Sequence, residues 1–125
     1  FMPPSTHSGG LRYHGMAPMV SHLTDIGAIE AKAFGQKECF EAGVKFANSE
    51  GIVPAPEATH AVKGAIDVAL ECKKNGKSQT ILFNLCGHGH FDMQAYGDYF
   101  SNKLSDDKYN ESEVNAALAK LPKIA

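Results

Sequence analysis

The chain has 125 residues, 43% of them apolar, with no tryptophan and a formal net charge of −2. That length builds one domain with a modest core and no more. Its 12 basic and 14 acidic residues are interspersed, leaving no basic stripe for nucleic acid, and no apolar run approaches the roughly 20 residues that cross a bilayer.

Phe1-Met2-Pro3-Pro4 lacks the basic-then-apolar layout of a secretory signal, and a Phe before the first Met is not the look of a natural beginning. Residues 1–16, rich in Gly, Pro, Ser and His, read as an ordered but irregular entry segment. Pro18 suits the first turn of a short helix that Gly27 ends. Ala28 to Phe34 reads as a strand interrupted by Glu30 and Lys32. From Gln36 to Glu50, Cys39, Phe40, Gly43, Val44, Phe46 and Ala47 fall at helical spacing, and Gly51 supplies the stop.

Glu50-Gly51-Ile52-Val53-Pro54-Ala55-Pro56 is a rigid loop, because two prolines fix the backbone. The clearest helix runs from about Glu57 to Lys74, with Ala58, Ala61, Val62, Ala65, Ile66, Ala69 and Leu70 on one stripe. Asn75-Gly76 closes it. Thr80 to Cys86 is a nearly continuous apolar run, the mark of a central strand covered on both faces. Gly87-His88-Gly89-His90 is a turn, Met93 to Asn102 is helical, and Asn110 caps a last helix that carries Glu113 three residues on. Pro122 stops that helix. Cys39, Cys72 and Cys86 are odd in number and widely spaced, which fits a reduced, cytoplasmic compartment.

These elements predict an α/β architecture: a partial three-layer α/β/α domain with two or more strands flanked by about four helices. A two-stranded sheet is marginal in water by itself. Residues 1–125 therefore read as a single incomplete domain, whose other strands come from elsewhere.

Four stretches could carry chemistry. Gly87-His88-Gly89-His90-Phe91-Asp92 follows the apolar strand, where open α/β sheets bind ligands. As a dinucleotide fingerprint it fails, since Asp92 stands where a third Gly is needed. His88 and His90, two apart, could face one metal ion, but no helical His pair or cysteine pair supports a zinc site. Glu57 falls at a helix start, where the macrodipole favours a carboxylate; the plainer reading is an acidic first turn with Thr59 and His60 bonding locally. Ser8-Gly9-Gly10-Leu11-Arg12-Tyr13-His14-Gly15 suggests a loop facing a polar ligand or a partner, although Arg12 could equally pair with Asp25.

In their order along the chain, these stretches resemble the tryptophan synthase β chains. Gly10-Leu11-Arg12-Tyr13-His14-Gly15-Met16-Ala17-Pro18 is similar to that family's Gly-Leu-(Asp or Arg)-Tyr-x-Gly-x-x-Pro, in the wording of its divergent second type. Glu50-Gly51-Ile52-Val53-Pro54-Ala55-Pro56-Glu57 resembles Glu-Gly-Ile-x-Pro-Ala-x-Glu, and Asn84-Leu85-Cys86-Gly87-His88-Gly89 resembles Asn-Leu-Ser-Gly-x-Gly. The likeness covers about residues 1–104, the last helix being too generic to align.

The resemblance implies the C-terminal part of a fold-type II pyridoxal 5′-phosphate lyase, which replaces the β-hydroxyl of L-serine with indole to give L-tryptophan. Carried over by position, Cys86 stands where a Ser faces the cofactor's pyridine nitrogen, and Glu57 lies beside the ring. Gly87 and Gly89 let the chain pass close to the ring, and the backbone carbonyls of Leu11 and Tyr13 help hold a monovalent cation. Arg12 replaces an Asp that senses the substrate's side-chain end; its always-charged planar fork suits a carboxylate or phosphate, which leaves the true substrate open. A thiol at position 86 is a weaker donor than a hydroxyl.

The Schiff-base lysine and the phosphate loop of the family have no counterpart in these residues. The expectation is a segment inactive alone, completed by the N-terminal remainder of its chain, with a homodimer and an α-subunit as possible further partners. The rivals are another fold-type II β-elimination or replacement enzyme, and a non-catalytic binding module.

Overall fold

Two helices joined by the proline loop form the centre of the fold. In a computed structural model that describes residues 6–13, 15–106 and 110–122, a 3-10 turn at Gly9–Leu11 precedes five α-helices among the described residues. They are α1 (Pro18–Asp25), α2 (Gln36–Glu50), α3 (Pro56–Lys74), α4 (Met93–Phe100) and α5 (Glu111–Leu118). The helix boundaries follow local chemistry. Pro18 and Pro56 occupy first-turn positions of α1 and α3, where a missing N–H costs nothing. Gly51 ends α2 at φ 71°, a left-handed backbone that suits a residue without Cβ. At the start of α2 the Glu38 carboxylate accepts from Gly35 N–H at 2.8 Å. At α5, Asn110 Oδ1 accepts from Glu113 N–H while its amide donates to Glu113 Oε1, so the expected cap is present.

α2 packs on α3 through small side chains: Cys39, Ala42 and Gly43 on one helix, Ala58, Thr59 and Val62 on the other, all buried. α4 closes the other side of α2. Phe40, Ala95, Tyr96 and Leu104 form the core cluster, with Val44, Val53 and Tyr99 packed around it. The Phe40 ring meets Tyr96 edge-on at 5.0 Å and stacks on Tyr99 at 5.9 Å, geometries that aromatic quadrupoles favour. Gln36 reaches across to the Ser105 carbonyl and ties the chain after α4 to the start of α2.

Neither expected strand forms a ladder; among the described residues the β pairing is a single antiparallel bridge between Pro54 and His88. Ala28–Phe34 is irregular and largely exposed, and Phe34 lies under the Lys63 ammonium at 5.2 Å. Thr80–Cys86 was expected to be covered on both faces, and only one is covered. Ile81, Phe83 and Leu85 are half-buried, with Phe83 edge-on to Phe46 of α2 at 5.9 Å, whereas Leu82, Asn84 and Cys86 are exposed. Leu82 is 93% exposed. That period-two alternation is how a strand looks when one face is packed and its lateral partners are missing. Among the described residues the segment is mostly helical, with five α-helices where about four were expected and no strand, an arrangement compatible with part of an α/β domain.

Candidate active site

The proline loop and the glycine turn are stitched together by two backbone bonds. Ala55 N–H donates to Gly87 O at 2.9 Å, and Gly89 N–H donates to Val53 O at 2.7 Å. These bonds flank the Pro54–His88 pair, so Pro54 sits where no N–H is required. The approach is close. A Cβ on Gly89 would stand 2.6 Å from Pro54 O and 2.9 Å from a Val53 methyl, and one on Gly87 would meet Ala55 Cβ at 3.1 Å. The neighbouring loop therefore requires glycine at position 89 and leaves little room at position 87.

α3 begins at Pro56, the last residue of the loop, and its first turn carries Glu57. The Glu57 carboxylate accepts from Gly10 N–H at 2.8 Å, while Ser8, a buried residue, donates its hydroxyl to Pro56 O at 3.2 Å. Thr59 and His60 also bond to Pro56 O, at 2.6 and 3.1 Å, so the local bonding expected there coexists with the long-range contact. The Gly9–Leu11 turn is thereby docked on the start of α3. Val53–Glu57 is thus bonded to Ser8–Gly10 on one side and to the Gly87–Gly89 turn on the other, so three segments distant in sequence meet at this corner.

Among the residues singled out by sequence, Glu57 is half-buried in this corner, Gly87 is half-buried and Gly89 is buried. Cys86 is an exposed free thiol at the open end of the extended segment. Arg12 is exposed, and no carboxylate of the described residues, Asp25 included, lies within ion-pair distance of it. Leu11 and Tyr13 are 52% and 71% exposed beside it. His14 lies outside the described residues. The His88 and His90 rings stand 4.7 Å apart, and His88 Nδ1 accepts from His90 N–H at 3.2 Å. Among the described residues no group of three or more His, Cys, Asp or Glu side chains could hold a metal ion.

Two residues that the sequence places only on helices, with no role at the site, build the corner. Tyr96 of α4, buried, donates its hydroxyl to Pro54 O at 2.6 Å. Burial pushes that phenol up to about 12, with the Asp92 charge adding to the effect, so it remains a donor at neutral pH. Gly43 of α2 makes room: a Cβ there would lie 2.7 Å from the Thr59 methyl and 2.9 Å from the Tyr96 hydroxyl. A lone Gly inside a helical pattern is the signal that could have marked it.

No protein-family profile matches the chain. Curated relatives do. It is 58% identical over 103 residues, 82% of its length, to "Tryptophan synthase beta chain 2" of Methanosarcina mazei. It is 57% identical over 106 residues, 85% of its length, to the protein of that name in Aquifex aeolicus. With "Tryptophan synthase beta chain" of Pyrococcus horikoshii the identity is 50% over 122 residues, 98% of the chain, so the likeness runs on past residue 104 into the last helix. The chain spans about a quarter of each relative's length: 23%, 24% and 26%.

Proposed function

Because the chain belongs to the tryptophan synthase β-chain family, second type, we propose that it forms the C-terminal, cofactor-facing wall of a lyase making L-tryptophan from L-serine and indole. Residues 1–125 are then one incomplete domain of a three-layer α/β/α unit. Its missing strands come from the N-terminal remainder of the same chain. The unpaired, one-face-open segment ending at Cys86 supports that reading.

The residues at the corner fit pyridoxal 5′-phosphate. An exposed thiol ends the extended segment, and a carboxylate-bearing helix start is joined to the turn that follows it. When bound, this cofactor supplies the electron sink that lets a β-hydroxyl leave and a nucleophile take its place. Cys86 would offer S–H to the pyridine nitrogen; a thiol, unlike a carboxylate, does not force that nitrogen to be protonated, and this suits β-replacement. Glu57 would lie beside the ring, oriented by Gly10 N–H and by its seat at the positive end of α3. Arg12, carried on the segment that Glu57 anchors, would meet the substrate's side-chain end. The Leu11 and Tyr13 carbonyls on that segment would hold a monovalent cation. Three free thiols support a reduced, cytoplasmic setting.

The observation that carries the reading is the junction itself: Ala55 bonded to Gly87, and Glu57 bonded to Gly10. The complete chain, assayed with L-serine, indole and the cofactor, should form tryptophan. Pyruvate or another product without tryptophan would instead favour a different fold-type II β-elimination or replacement enzyme, for which the exposed Arg12 fork is the specific pointer. Absence of any cofactor binding would leave a non-catalytic module.

A further inference from the structure

We infer that Tyr96 is a positioning residue for the cofactor wall, its hydroxyl pinning the Pro54 loop against the Gly87–Gly89 turn. The inference rests on the function proposed above, and it concerns a residue that touches neither cofactor nor substrate. Tyr96 donates to Pro54 O at 2.6 Å from a fully packed position, its ring held edge-on by Phe40 at 5.0 Å. Pro54 is the pivot of the junction. The residue before it accepts from Gly89, and the residue after it donates to Gly87. A shift of Pro54 therefore moves both sides of the site together: Glu57, two residues beyond Ala55, and Cys86, one residue before Gly87.

The node is built to tight tolerance. Its ring edge also borders Gly89, where a Cβ would lie 3.0 Å from Tyr96 Cε2. Gly43 leaves room for the hydroxyl, and the Thr59 methyl fills the remaining side at 2.7 Å from a Cβ at that position. A phenol sealed in this way has one described acceptor, the Pro54 carbonyl, and that carbonyl would lose a buried partner on its removal. Loss of the bond frees the loop without opening a cavity, because the ring stays.

The test uses the complete chain with Tyr96→Phe, Gly43→Ala and, as a core control outside the Phe40–Tyr96 cluster, Val62→Ala. Tyr96→Phe should speed amide exchange at Ala55 and Gly89 in the cofactor-free protein. It should also alter the absorbance of the bound cofactor and lower kcat by about ten- to a hundredfold with little change in KM. Gly43→Ala, which displaces the same hydroxyl, should reproduce these effects, and the double variant should add less than the sum. Val62→Ala should lower the melting temperature while leaving the cofactor spectrum and kcat below melting unchanged. A Tyr96→Phe enzyme with wild-type spectrum, kcat and exchange would overturn the inference while leaving the proposed function standing. An unsubstituted complete chain that binds no pyridoxal phosphate would overturn both.

Discussion

Glu57 and Gly10, separated by 47 positions, are joined by a 2.8 Å bond from a backbone N–H to a carboxylate. The contact gives Glu57 a second task besides its place at a helix start. It anchors the segment that carries Leu11, Arg12 and Tyr13. In the complete chain, Glu57→Ala should lower kcat/KM by about tenfold or more, since the segment loses its anchor and the corner its charge. Glu57→Gln keeps an acceptor and should recover part of that loss. Equal activity in both variants and the unsubstituted enzyme, read by steady-state kinetics, would remove Glu57 from the site.

Cys86→Ser in the complete chain should retain or improve turnover, because a hydroxyl is the better donor to a ring nitrogen. The measurement is kcat for tryptophan formation alongside cofactor affinity. Loss of cofactor binding on this change would show that Cys86 does not face the ring.

Gly89→Ala forces a Cβ to 2.6 Å from the Pro54 carbonyl. The turn must back away, at a cost of about 1–3 kcal/mol in unfolding free energy, read from denaturant titration. Gly97→Ala in α4 is the matched control, since nothing lies within 4 Å of its Cβ. That variant should be neutral or stabilised by up to about 1 kcal/mol through helix propensity. Equal effects at the two positions would contradict the packed junction.

Alkaline pH should loosen this core. Burial raises the Cys39 thiol from 9.0 to about 12, with the nearby Glu38 charge adding to it, and raises the Tyr96 phenol from 10.0 to about 12. Both groups are held neutral in the folded state. Their contribution is therefore fully present below pH 9 and lost as pH climbs from there through about 12. Denaturant midpoints of the complete chain, taken from pH 8 upward, should fall in that window, and less steeply for Tyr96→Phe. Identical slopes would place the titration elsewhere.

Much of the helical framework is legible in the sequence because its determinants are local. Gln36 to Glu50 with Gly51 as the stop, and Asn110 with Glu113 as the cap, need only short-range spacing to be read. Strand pairing is different. Thr80–Cys86 has the apolar content of a strand, but a ladder is made by distant residues, and within this segment the exposed side at Leu82 and Cys86 meets none. The site shows the same division. The order of three motifs points to one corner, while Tyr96 and Gly43, which hold it together, act only through approach in space and carry no motif. The glycines of the turn also accommodate the Val53–Ala55 loop, a contact that no local pattern announces.

The most direct measurement is a crystal structure of the complete chain loaded with pyridoxal 5′-phosphate. The Cys86 Sγ should lie within hydrogen-bonding reach of the pyridine nitrogen, with the Glu57 carboxylate alongside the same ring and still bonded to Gly10. A ring bound elsewhere, with those two side chains opening onto separate regions of the protein, would contradict the shared wall.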